Sequence, residues 1–263
     1  MRHLSKRIDR IFDNIIDDHL KEEDFRQHKD MLSTLLALME NPNNEFIYRF
    51  DRDNVKAIML DIFVAAIDSS VVTITWALAA LIKHPRVMKL LQEELDSVIG
   101  KERMVKESDL PKLPYLDMVV KETFRLYPVA PMLLPHESME DIFINGYMIP
   151  KKSRIIINVW AIGRDLSVWS ENVEEFYPER FIGKEIDVRG RDFELIPFGA
   201  GRRGCPGMQL GLLTVRSVVA QLAHCFSWEL PDGMKLEKLD MNEKSGSTIP
   251  RENKLLAIPS YRL

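Results

Sequence analysis

The chain has 263 residues and a net charge of −4, with 36 lysines and arginines against 40 acids. That balance, with no run of basic residues, excludes the cationic surface a nucleic-acid binder needs. Its 46% hydrophobic and 29% charged composition suits an ordinary globular protein, and two cysteines, Cys205 and Cys225, exclude a disulfide framework.

In chain order, Leu4, Ile8, Ile11, Phe12, Ile15, Ile16 and Leu20 follow the rhythm of an amphipathic helix. The opening segment has no signal-peptide pattern. Residues 57–82 form an apolar run interrupted by Asp61, Asp68 and a Ser69-Ser70 pair. Acids in mid-bilayer are costly, so the run reads as a long helix buried inside a soluble protein. Its start is expected near Asp51 or Asp53, and His84-Pro85 ends it. "HPRVMKLLQEELDSVIG" is a second amphipathic helix stopping at Gly100, and "SDLPKLPYLDMVVKETFRLYP" is a loop running into a third that stops before Pro128. "DIFINGYMIP" is a hairpin turning at Asn145-Gly146. "SRIIINVW" reads as a buried β-branched strand, residues 165–195 as turns, and "FELIPF" as a possible short strand. "MQLGLLTVRSVVAQLAHCF" is a helix, and "LLAIPSYRL" a last strand. The expected architecture is one mainly α domain, 1–263, with a small β region.

Inside "PFGAGRRGCPG", residues 197–207, Gly199, Gly201 and Gly204 spell G-x-G-x-x-G, which elsewhere cradles a pyrophosphate. Pro206 argues against phosphate, because anion binding at a helix start needs free backbone N–H groups. The alternative is a loop that presents the sulfur of Cys205. Glu122 and Arg125, three apart on a helix, read by themselves as a surface ion pair of little energetic value. Arg180 in "YPERF" reads as a solvated loop cation. Asp68-Ser69 reads as a buried polar pair bonding the preceding helical turn.

The order of these features changes that reading. An acid–alcohol pair in a long helix, then E-x-x-R, P-E-R-F and F-x-x-G-x-R-x-C-x-G, together resemble the cytochrome P450 haem-thiolate monooxygenases. Phe198, Gly201, Arg203, Cys205 and Gly207 match the last motif in full. "PERF" and "FGAGRRGCPG" look most like the plant microsomal branch. The resemblance covers the whole chain and corresponds to the C-terminal half of a typical member. The membrane anchor, proline-rich hinge and early helices of the family are expected to lie outside these residues.

What the resemblance implies is specific. Cys205 is the thiolate ligand of a haem b iron, Phe198 packs beside it, and Gly207 completes the loop. Arg203 and His136 match positions that contact haem propionates; for His136 the other reading is a polar residue at a strand end. Glu122, Arg125 and Arg180 form a buried charge network that fixes the cysteine loop. Asp68 and Ser69 deliver protons during oxygen activation, although Ala66 and Ser69 replace the family's usual glycine and threonine. Phe63, Val64, Ile67, Val129, Met132, Leu133, Thr248 and Ile249 line an apolar substrate pocket.

The implied reaction inserts one atom of O2 into a lipophilic small molecule, a plant secondary metabolite, with electrons from NADPH through a flavoprotein reductase. The implied location is the cytosolic face of the endoplasmic reticulum membrane through the anchor, or the cytosol for a chain without one. A second reading, of another class, is a truncated and catalytically inactive product that at most binds haem or a partner.

Overall fold

The computed structural model describes residues 2–21, 30–40, 50–169 and 172–263, and it divides the chain into two compact units, 1–67 and 68–263. Unit 1 is built from α1 (Arg2–Lys21), α2 (Met31–Glu40) and the first part of α3 (Arg52–Lys83). Ile16, Leu36 and Val55, one from each helix, are its buried core, with Leu20, Leu32, Leu35 and Met59 packed around them. Phe12 is buried too, whereas Ile11 and Ile15 are exposed; the side chain of Leu4 lies outside the described ones. Charge ties α1 to α3: Arg52 meets Asp13 at 2.8 Å and Asp17 at 2.7 Å, and Lys56 meets Asp9 at 2.7 Å.

The start of α3 is set by two short side chains. The amide of Asn54 donates to the Asp51 carboxylate, and the amide of Asp51 donates to Asn54 Oδ1, both at 3.0 Å. Two N-terminal donors are thus satisfied reciprocally, as in a capping box. The helix runs 32 residues. Its expected burial is only half met. From Val72 onward it is largely buried, but Phe63, Val64, Ile67 and Val71 are exposed by 63, 63, 54 and 57%. The reason is local: in unit 1 the core formed with α1 and α2 reaches only Val55 and Met59 of this helix. Among the described helices it alone has the length and apolar character to cross a membrane, and Asp61 and Asp68 stand in its middle.

Unit 2 holds the main core. The second part of α3 (Ala77, Ala80, Leu81), α4 (Pro85–Ile99), α5 (Pro114–Leu126) and α8 (Met208–Cys225) bury Leu91, Leu95, Leu116, Val119, Val120, Val215 and Val219 against one another. Proline opens both α4 and α5, where a missing N–H costs nothing. Gly100 ends α4 at φ +80° and donates to the Asp96 carbonyl at 3.0 Å. A carboxylate from α4 finishes α5: Glu94 accepts from the amides of Tyr115 (2.7 Å) and Leu116 (3.0 Å). The short helices α6 (Val159–Ile162) and α7 (Leu166–Trp169) complete the helical part.

Among the described residues, the β region is three separate two-stranded ladders. β1 (His136–Glu137) pairs with β4 (Arg154–Ile155), β2 (Ile142–Ile144) with β3 (Tyr147–Ile149), and β5 (Phe226–Glu229) with β6 (Ile258–Tyr261), all antiparallel. Asn145 and Gly146 turn the β2–β3 hairpin with φ of +49° and +84°, the left-handed pair that a two-residue turn demands. The expected buried strand over 153–160 is reduced to β4, with Ile156 exposed. Only two residues of β1 offer it a partner, and Asn158 Oδ1 accepts from the Ala161 amide, capping α6 instead. "FELIPF" forms no strand: the Leu195 amide donates to the Asp192 carbonyl in a turn, and Pro197 has no donor.

Candidate active site

The cysteine loop is shaped by its own backbone. Gly199 and Gly201 both sit at φ +70°, a conformation strained for any residue with a Cβ. The Gly199 amide donates to the Ile196 carbonyl at 3.0 Å, Gly204 to Gly201 at 3.1 Å, and Cys205 to Phe198 at 2.8 Å. The last bond folds the loop back so that Cys205 and Phe198 are adjacent. Gly190 buttresses it from outside; a Cβ there would lie 2.7 Å from the Gly199 carbonyl. The Phe198 ring meets Phe124 of α5 edge-on at 5.3 Å, and a Cβ on Gly211 of α8 would touch it at 3.6 Å. Two helices therefore flank the phenylalanine.

Cys205 is a free, exposed thiol, and Cys225 a buried one whose proton burial makes harder to lose. Gly207 sits beside the sulfur: a Cβ there would lie 3.8 Å from Sγ. Arg203, two residues away, is exposed and has no side-chain partner among the described residues; His136 on β1 is half-buried and likewise unpartnered.

The charge network is fully formed. Arg125 Nε and Nη2 each reach Glu122 at 2.8 Å, and Arg180 Nε meets the same carboxylate at 2.9 and 3.1 Å. The three side chains are 0, 0 and 3% exposed, so the reading of a surface pair does not hold. The remaining guanidinium N–H groups bind carbonyls: Arg125 those of Gly163, Val173 and Glu175, Arg180 those of Trp169, Asn172 and Glu175. The Tyr177 amide adds a fourth donor to Glu122 at 2.8 Å. A buried ion cluster is tolerable only when every polar atom is satisfied in this way. Its direct contacts lie in 163–177; the bridge to the cysteine loop is Phe124, which stands on α5 between Glu122 and Arg125.

Asp68 is exposed, and its carboxylate accepts a 2.5 Å hydrogen bond from Thr248 Oγ1, 180 positions away. For Asp68 this is a long-range bond rather than one within its own helix. The Ser69 carbonyl accepts from Thr73 Oγ1 at 2.9 Å. Among the residues expected to line a pocket, the Ile249 amide donates to the Val129 carbonyl at 2.9 Å, joining the 247–249 loop to the 129–133 segment. Val129, Leu133, Thr248 and Ile249 are half-buried and Met132 is exposed; Phe63, Val64 and Ile67 lie on the exposed stretch of α3 in unit 1. No hydrogen bond or ion pair among the described residues links the cysteine loop to Asp68.

One cluster went unread in the sequence. Glu179, the acid of "PERF", is chelated by Arg86 at 2.5 and 3.1 Å and accepts from the Tyr115 hydroxyl at 2.9 Å. These bonds hold its carboxyl below the ordinary value despite partial burial, which pulls the other way. Its place beside Arg180 was the available signal.

The residues fit a haem. A soft sulfur donor stands exposed on a stiff loop, a free guanidinium stands beside it, and no cluster of His, Cys, Asp or Glu among the described residues offers a competing metal site.

Comparison with known proteins agrees. The Cytochrome P450 family model matches residues 1–257. Cytochrome P450 CYP736A12 of Panax ginseng is 59% identical over 262 residues, covering 98% of this chain and 52% of that protein. A flavonoid 3'-monooxygenase of Arabidopsis thaliana is 46% identical over 267 residues, covering 100% of this chain and 52% of its own length. A zebrafish cytochrome P450 solved with abiraterone superposes with a TM-score of 0.86 at 29% identity, over 98% of this chain and 59% of that one. The chain thus spans about half the length of the curated relatives it matches, and it belongs to the cytochrome P450 family.

Proposed function

We propose that the protein carrying this chain is a haem-thiolate monooxygenase acting on a lipophilic small molecule of plant secondary metabolism. The observation that carries the reading is the exposed Cys205 thiol on a glycine loop, clamped through Phe198 between α5 and α8. When bound, haem supplies oxygen activation: one atom of O2 enters the substrate and the other leaves as water, with two electrons from NADPH through a flavoprotein reductase. Cys205 would hold the iron as a thiolate, and Phe198 would pack beside it. Arg203 would offer a guanidinium and His136 a ring N–H to the propionates. Asp68 and the Ser69 hydroxyl would hold and pass protons. Val129, Met132, Leu133, Thr248 and Ile249 supply apolar wall.

Relatives named flavonoid 3'-monooxygenase, from Arabidopsis thaliana and from Crocosmia x crocosmiiflora at 44% identity, support a phenolic lipophile as substrate. The cytosolic face of the endoplasmic reticulum membrane is the location this reading implies. The test is the carbon-monoxide difference spectrum of the haem-loaded full-length protein, followed by turnover with reductase and flavonoids. The expected result is a red-shifted thiolate band that Cys205→Ala abolishes and Cys225→Ala keeps. A thiolate band that survives Cys205→Ala overturns the ligand assignment.

A further inference from the structure

We propose that Thr248 is a positioning residue for proton delivery, holding the Asp68 carboxylate in one orientation from the loop that lines the substrate pocket. The inference rests on the monooxygenase reading above, and its own support is geometric. Thr248 Oγ1 donates to Asp68 Oδ2 at 2.5 Å, at the short end of the range for a hydroxyl on a carboxylate.

Three further contacts hold the hydroxyl where it is. The Ile249 amide donates to the Val129 carbonyl at 2.9 Å. The Trp76 indole N–H, one of the most buried groups on α3, donates to the Ile249 carbonyl at 2.9 Å. Gly246 packs against Thr248 itself: a Cβ there would lie 2.8 Å from the Thr248 carbonyl oxygen, close enough to push the residue away. Trp76 is in turn stacked on Tyr127, with ring centroids 4.4 Å apart and planes 3° from parallel. The loop is thus clamped to α3 eight residues beyond the acid it serves, roughly two helical turns.

The physical consequence is a coupling of two tasks. A carboxylate on an exposed helix face has several rotamers, and one donated hydrogen bond selects among them. That donor comes from the residue next to Ile249, whose side chain is proposed to meet substrate. A ligand that displaces the 247–249 loop therefore also releases Asp68. Ser69 supplies the hydroxyl of the proton path, and Thr248 fixes the acid beside it.

The experiment uses the haem-loaded full-length protein with Thr248→Val, Thr248→Ser, Asp68→Asn and the double variant Thr248→Val/Asp68→Asn. The first readout needs no turnover: a double-mutant cycle on the urea unfolding equilibrium. The expected coupling is about threefold to tenfold in the unfolding constant, with Thr248→Ser near wild type. The second readout is hydrogen peroxide released per NADPH consumed. Thr248→Val is expected to raise it about threefold to tenfold, to add nothing in the Asp68→Asn background, and to shift the pH profile of coupling as Asp68→Asn does. Gly246→Ala, which keeps the hydroxyl and displaces it, should reproduce the rise. Additive effects in the unfolding cycle, or a peroxide yield unmoved by Thr248→Val, overturn the proposal. A wild-type protein that makes no oxygenated product defeats the monooxygenase reading, and the unfolding cycle then decides separately whether Thr248 holds Asp68.

Discussion

His84, between α3 and α4, shows how one side chain writes a pH dependence into the fold. Its ring is half-buried against Phe176, with centroids 5.5 Å apart. Burial first, then the neighbouring Lys83 and Arg86, push its pKa below the ordinary 6.5. The sign follows from which state takes the proton. Above pH 6.5 the ring is neutral in both states and contributes no slope. As the pH falls below 6.5, the unfolded chain accepts a proton that the folded ring refuses, so stability drops until the lower folded pKa is reached. His84→Asn should therefore flatten the fall in stability below pH 6.5, by up to about 1.4 kcal/mol per pH unit for one proton. Unfolding free energies at pH 8, 6.5 and 5.5 check this; identical slopes in the variant and the wild type would refute it.

Among elements, Glu122 joins α5 to the 163–180 segment by accepting from two arginines and one backbone amide. Glu122→Ala leaves two buried guanidinium groups without their anion, and should destabilise unit 2 by about 3–5 kcal/mol. A lower urea midpoint with an unchanged slope, together with loss of haem on gel filtration, is the expected result. A midpoint within error of wild type would mean the network contributes little. Much at this scale was legible beforehand. α4, α5 and α8 announce themselves by apolar spacing, α4 between Pro85 and Gly100 and α5 between Pro114 and Pro128, and the β2–β3 hairpin by Asn145-Gly146. Cys205, Glu122, Arg125 and Arg180 were legible because the motif types are local. What stayed hidden depends on partners distant in the chain. Nothing near Asp68 names Thr248 as its donor, and nothing near Pro114 says that Glu94 of another helix will cap α5. The β-branched run after Ser153 misleads because strand propensity counts only when a neighbouring strand exists to pair with.

At the scale of the molecule, the exposed middle of α3 is the feature that governs solution behaviour. Phe63, Ile67 and Val71 are four residues apart and so share one face, with Val64 beside them. A contiguous apolar stripe on the surface is either an interaction site or an aggregation liability. A polypeptide of these 263 residues, expressed without further sequence, therefore should self-associate at micromolar concentration. Val64→Lys/Ile67→Lys tests the cause. Lysine is at least as good a helix former as valine or isoleucine, so α3 should persist while the stripe loses its apolar continuity. Sedimentation velocity should show a several-fold fall in the associated fraction, with the circular dichroism at the helical minimum unchanged. If the double variant associates as strongly as the parent, the stripe is not the adhesive surface. If the parent is already monodisperse, the face is not a liability at all.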